Sequence, residues 1–232
     1  VLANATMPNG VAAMELIYAI GADTTWNANV GPIAAKSVQA QIERTYPLEG
    51  MMNGVYPNFK LLASEDMGDS TNPSQTAFDF GETWLQKYGD DLDVIIGAAD
   101  IIGIGCAEAI IKNGDEHGEN TICAGLDGGS QAWSYIRKDT PFKYSYAQPF
   151  EAYAHNIMEL IDELQVQGMK PGDDGCLISE EGAAIYETGM VVSPKNVPEV
   201  GESIHAVFDY YGGDPEDADA WYNWTDGEGA YT

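Results

Sequence analysis

Positive charge is what this sequence most lacks. Lys and Arg together number 10 against 37 Asp and Glu in 232 residues, a formal net charge of −27 at pH 7. Such a field repels phosphate backbones and anionic headgroups, which excludes nucleic acid and membrane surfaces as partners. Cysteine is almost as scarce. Cys106, Cys123 and Cys176 show no CxxC spacing and leave an odd thiol under any pairing, so neither a disulfide framework nor a zinc site is signalled and buried thiols are expected. No stretch reaches the ~18 consecutive apolar residues of a membrane span. The glycine-rich stretches Gly103 to Gly105 and Gly125 to Gly129 match neither the dinucleotide nor the P-loop fingerprint, and no GxSxG elbow occurs. His117, His155 and His205 lack the i, i+4 spacing of a metal pair. No metal, cofactor or catalytic residue is therefore expected.

What is present reads as a globular α/β chain, with 44% hydrophobic and 20% charged residues. The apolar run Val11 to Ile20 is expected to be a buried strand ending at Gly21, and Pro32 to Arg44 a helix. The alternation then recurs. Phe59 to Ala63 reads as a strand before a helix over Pro73 to Lys87. Val94 to Ile96 precedes a helix over Ile101 to Lys112, closed by Asn113 and Gly114. Thr121 to Leu126 precedes Ser130 to Arg137, and Phe142 to Ala147 precedes a long helix over Glu151 to Gln167. Five strand-to-helix units in a row predict a doubly wound parallel sheet with helices on both faces. A short strand near Thr188 to Val192 follows, and the last thirty residues, with Trp221, Tyr222 and Trp224 among Asp and Gly, form an irregular acidic tail.

Open parallel sheets bind ligands outside the carboxyl ends of their strands. On this reading those ends carry Asp23, Trp26 and Asn27, then Glu65 and Asp66, then Asp100, Asp127 and Gln148. Carboxylates and amides engage hydroxyls, and an indole face suits the CH side of a sugar ring, so a neutral polyhydroxylated ligand fits. A cationic or amine ligand fits the acidic groups equally well. Phosphorylated ligands fit poorly, because this residue set holds no Arg or Lys beyond a rim position for Lys36. Asp100 with Asp127 also has the composition of a hydrolytic carboxylate pair.

The segments DVIIGAADIIGIGCAEAIIKNG (Asp93 to Gly114), ICAGLDGGSQAWSYIRKD (Ile122 to Asp139), YSYAQPFEAYAHNIMELIDEL (Tyr144 to Leu164) and TGMVVSPKNV (Thr188 to Val197) resemble the sugar-type periplasmic binding proteins of ABC transporters, the type I solute receptors. The family shows an AND turn, a GFDG strand end, a VAQ strand before a long helix and a late strand, in that order. The resemblance covers roughly residues 11 to 200. It implies two α/β lobes closing over one small molecule. It also implies that this chain carries the second lobe, with the amino-terminal lobe outside it. Asp127 matches the ligand-binding Asp of the family, Gln148 its hinge-proximal Gln and Asp100 the Asp of the AND turn. Ala99 stands where the family often has a ligand-contacting Asn. The loop after the first strand, which often supplies an Arg, here offers Trp26, Asn27 and Asn29.

Together these features predict a second-type lobe over residues 1–148, a crossover helix and loop over 149–187, a return strand at 188–200 and the acidic extension 201–232. The expected function is that of a non-enzymatic receptor for a sugar or polyol, handing it to an ABC transporter permease from an extracytoplasmic, lipid-anchored position. The chain opens on Val1 rather than Met, without a basic segment or an apolar signal core, so a further segment is expected upstream, and the compartment is not read from this end. The alternative is the effector domain of a transcription regulator on the same fold, which the net charge of −27 disfavours.

Overall fold

The computed structural model describes residues 4–52, 56–180 and 184–202. In chain order these form β1 (Asn4–Thr6), α1 (Asn9–Asp23), β2 (Ala28–Ala34), α2 (Gln39–Met52), β3 (Phe59–Leu61), β4 (Glu65–Asp66), α3 (Pro73–Tyr88) and β5 (Val94–Gly97). They continue as α4 (Asp100–Lys112), β6 (Ile122–Asp127), α5 (Ser130–Arg137), β7 (Phe142–Ala147), α6 (Phe150–Ile161), β8 (Ala184–Tyr186) and β9 (Met190–Val192). The chain divides into two units. The larger comprises Asn9–Ala147 with Met190–Val197; the smaller takes Val1–Pro8, Gln148–Gly189 and Pro198–Thr232.

In the larger unit the strands run in the order β3-β2-β5-β6-β7-β9, with β4 also beside β2. Every pair is parallel except β7 with β9, so the sheet is the mostly parallel one expected. All four residues of β5 are buried, as are six of the seven in β2, so both sheet faces are covered. The helices pair as α1 with α2 and α3 with α4. Small residues let them sit close. A Cβ on Gly103 of α4 would lie 2.3 Å from the Ala124 carbonyl oxygen of β6, and one on Gly31 of β2 would lie 2.2 Å from the buried Trp84 ring of α3.

From Pro73 to Ala147 the expected elements are found within a residue or so of their expected bounds. The first two are not. Val11 to Ile20 is the body of α1, because its buried residues Ala12, Ala13, Leu16, Ile17 and Ile20 fall on one helical stripe while Val11, Met14 and Tyr18 are exposed. The expected helix Pro32 to Arg44 is instead the end of β2, a loop and the start of α2. A proline inside a central strand removes a ladder donor. Here it does no harm, because on that side of β2 the pairing is interrupted: β3 reaches Val30, β4 begins at Ile33, and the Val30 and Ala34 carbonyls accept from Leu62 and Met67.

In the smaller unit β1 pairs in parallel with β8. The expected long helix Glu151 to Gln167 ends as α6 at Ile161 and continues as a π turn over Asp162–Val166, where the Gln167 N–H donates to the Asp162 carbonyl. His205 and the acidic tail from residue 203 onward lie outside the described residues.

Two glycines separate packing from propensity. Gly103→Ala must push α4 off the β6 backbone and is expected to cost about 3 kcal/mol. Gly50→Ala, at a helical position of α2 with nothing within 4 Å of the added methyl, is expected to gain about 0.5–1 kcal/mol. Urea unfolding midpoints moving in opposite directions would bear out both.

Candidate functional site

Parallel strands deliver their exits to one edge. In the β5-β6-β7 part of the sheet this brings together the start of α4, the end of β6 and the last turn of β7. Asp100, the first residue of α4, is buried and 6% exposed. Its Oδ1 accepts from Ser145 Oγ of β7 at 2.6 Å, and its Oδ2 accepts from the Gly129 N–H at 3.0 Å. Ser145 Oγ in turn accepts from the Gly128 N–H at 3.1 Å. Gly125 must lack a side chain here, since a Cβ would lie 2.6 Å from Asp100 Oδ1. Burial pushes the Asp100 carboxyl up to about 7, against the lowering effect of the Ser145 and Gly129 hydrogen bonds and with the Asp127 charge adding to the rise.

Asp127 closes β6 with φ at +140°, a conformation that L side chains rarely adopt. Gly128 follows at φ +73° with its Cα against Ala147 of β7, where a methyl would meet that residue at 2.4 Å. This turn presents the Asp127 carboxylate at the rim, 37% exposed, with Oδ1 3.0 Å from Arg44 Nη1. Arg44 comes from α2 and its side chain is 8% exposed. The same Nη1 donates to the Ala98 carbonyl at 2.7 Å, and Nε donates to Asn9 Oδ1 at 3.0 Å. A guanidinium held at two points and a strained carboxylate facing it form a fixed donor and acceptor pair. The same edge continues, between the loops after β2 and β4 and the start of α4, into a cavity of about 380 Å³ lined by Val38, Gln41, Met67 and Ile101 among others. That is where the sheet reverses its strand order.

The residues expected at this edge therefore divide. Asp127 is at the rim. Asp100 is behind it, with both oxygens engaged inside the protein, so its expected role as a direct ligand contact is corrected. Asp23, Trp26 and Asn27 are at the opposite edge, because they follow helix α1 and precede β2. Asp23 accepts there from Tyr144 at 2.7 Å and from Lys195 at 2.5 Å. Trp26 stacks on Tyr56 with ring centroids 3.6 Å apart and covers Gly21. The Asn27 N–H donates to the Thr24 carbonyl. Gln148 is the residue after β7 and belongs to the smaller unit. Arg44 was missed, and the expectation of an edge without cations is corrected; its signal was its rarity, as one of two arginines in the chain. Lys36 is paired with Glu49. Among the described residues no cluster of His, Cys, Asp or Glu is placed to hold a metal, and no helix is long and apolar enough to cross a membrane. Cys106 is buried, which pushes its thiol up to about 12.

No protein-family model matches the sequence. A search of the curated proteins finds no match. Solved structures do match. An arabinose-binding protein from Geobacillus stearothermophilus aligns with a TM-score of 0.72 at 17% identity, over 84% of this chain and 64% of its own. A glucose-galactose-binding protein of the same organism aligns with a TM-score of 0.69 at 18% identity, over 85% and 64%. The fold is that of a type I periplasmic binding protein. A solute-binding protein from Agrobacterium vitis, determined with bound allitol, aligns with a TM-score of 0.67 at 19% identity, over 86% and 65%. The chain thus spans less than two thirds of the length of these type I proteins.

The raised Asp100 value carries a sign. An ordinary Asp titrates near ~3.9 in an unfolded chain, so between that pH and about 7 the folded state holds the extra proton. The stability this group contributes is complete below about pH 4 and is lost as pH rises through 7. Relative to Asp100→Asn, the parent is expected to lose on the order of 3 kcal/mol of unfolding free energy between pH 4 and 7.5, read from urea curves at each pH. Parallel curves for the two proteins would contradict this.

Proposed function

We propose that the protein is the solute-binding component of an ABC transporter, holding a sugar or related polyol at the Arg44–Asp127 edge without chemical turnover. The observation that carries this is the pair itself, a carboxylate kept at the rim by a strained turn and a guanidinium fixed beside it at 3.0 Å. A neutral ligand rich in hydroxyls suits both partners, since each hydroxyl can donate to the carboxylate and accept from the guanidinium. An anion meets Asp127, and a cation must compete with Arg44 for it, so the paired charges disfavour both. The neighbours sharing the fold support this ligand class: two are named as arabinose-binding and glucose-galactose-binding proteins, and three others are described with bound D-allose, myo-inositol and allitol.

In this reading Gln148 adds a further amide contact, as the resemblance implies. A permease receives the ligand, and the protein works outside the cytoplasm. The ligand's remaining contacts come from a second lobe of the kind found in the longer type I proteins.

The test is calorimetric titration of the full-length protein with L-arabinose, D-galactose, D-allose, myo-inositol and allitol. At least one is expected to bind and to be recovered unchanged. Asp127→Ala is expected to weaken that binding about ten- to a hundredfold, through loss of a charge-assisted hydrogen bond. Asn27→Ala, at the opposite edge, is expected to leave it unaltered. Silence across the panel, or equal effects of the two substitutions, would overturn the reading.

A further inference from the structure

Asp100 is a buried acid whose two oxygens are both engaged within the protein. Its surroundings show what it holds. β7 presents the Ser145 hydroxyl to Oδ1, and the β6–α5 turn presents the Gly129 N–H to Oδ2. Ser145 relays the hold to the Gly128 N–H. Both residues after Asp127 are thus tied to one carboxylate, directly at Gly129 and through a hydroxyl at Gly128. Asp127 itself has φ at +140°, a conformation that persists only where its surroundings over-determine it.

With Asp100 ionised, Ser145 Oγ accepts from the Gly128 N–H and donates its hydrogen to Asp100 Oδ1. Oδ2 accepts from Gly129. Both oxygens are acceptors, and the ionised carboxylate makes both bonds charge-assisted. A proton on either oxygen removes that charge, and one on Oδ1 also competes with the Ser145 hydrogen for the same line. Protonation therefore weakens the hold on the turn.

We propose that Asp100 is a positioning residue of the binding edge: when ionised it fixes the Asp127–Gly129 turn so that the Asp127 carboxylate faces Arg44 and the ligand, and when protonated it loosens the turn and weakens binding. The inference rests on the proposed function for its second half. Its first half, the acid-dependent hold on the turn, stands without a ligand. The charged groups facing Asp100 are Asp127 at the end of β6, which opposes ionisation, and Arg44 of α2, which reaches the neighbouring Ala98 carbonyl and Asp127. Burial and the Asp127 charge set the transition to about 7. A ligand hydroxyl donating to Asp127 draws its charge away from Asp100 and favours the ionised form, so uptake of ligand releases a proton. The larger unit's histidine, His117, lies against Asp139, ahead of β7 at the other edge.

Two measurements on the full-length protein test this. Without ligand, the Gly129 amide proton resonance is followed from pH 5 to 9. It is expected to titrate with a midpoint near 7 in the parent and to be flat in Asp100→Asn. With the sugar or polyol that binds best in the panel above, affinity is expected to be about tenfold weaker at pH 6 than at pH 8 in the parent, the factor for one linked proton. Asp100→Asn is expected to bind weakly at both pH values with no slope, and Ser145→Ala to weaken binding while keeping the slope. His117→Gln is expected to leave the parent profile unchanged. A Gly129 resonance that does not move, or an Asp100→Asn variant with the parent's affinity and slope, overturns the inference. Failure of every sugar and polyol to bind overturns the proposed function instead, and leaves the amide titration to decide the hold on the turn.

Discussion

Everything at the candidate site depends on β5, β6 and β7 lying parallel. The register pairs Ile96 with Ala124 and Asp127 with Ala147, so the chain leaves all three strands at the same edge. Only that alignment brings the first residue of α4 beneath the turn that follows β6, with a β7 hydroxyl between them. Small residues make it possible: with a side chain at Gly103, α4 could not approach β6, and with one at Gly125 there would be no space for the Asp100 carboxylate. Packing therefore sets the chemistry of the edge.

The edge holds opposing demands in one network. Burial and a neighbouring negative charge disfavour an ionised Asp100, while its hydrogen-bond donors favour it. The fold thus gives up stability near neutral pH at the place where it holds Asp127 in a backbone conformation that glycine would occupy more readily. Arg44 makes the arrangement tenable by placing a fixed, buried cation beside Asp127. On the proposed function, a neutral hydroxylated ligand is the species that joins this pair without leaving either charge unmatched.

The stretch from Pro73 to Ala147 was legible in the sequence because its boundaries are marked by local chemistry. Asn72 caps α3 ahead of Pro73, Asn113 and Gly114 close α4, and Gly128 follows the exit of β6. The first two elements were not legible for the same kind of reason. Val11 to Ile20 is apolar on the faces toward both the core and solvent, so its run gave no period, and only its length of ten residues favoured a helix. Pro32 looked like a helix start because nothing local announces that the neighbouring pairing is interrupted. That one shift displaced the site. With α1 read as a strand, Asp23, Trp26 and Asn27 took the place that belongs to the loop and helix after β2, and Arg44 was lost within a helix body. The turn at Asp127 was legible because it is local; the burial of Asp100 was not, because it is set by Ser145, forty-five positions away.

The most direct test of the central claim is a crystal structure of the full-length protein grown with the sugar or polyol that calorimetry selects. The expected result is a ligand with ring or chain hydroxyls in hydrogen-bond contact with both the Asp127 carboxylate and the Arg44 guanidinium, and with Asp100 untouched beneath them. A ligand seated at the Asp23 and Trp26 edge, or one contacting Asp100 directly while Arg44 and Asp127 stay paired only with each other, would contradict it.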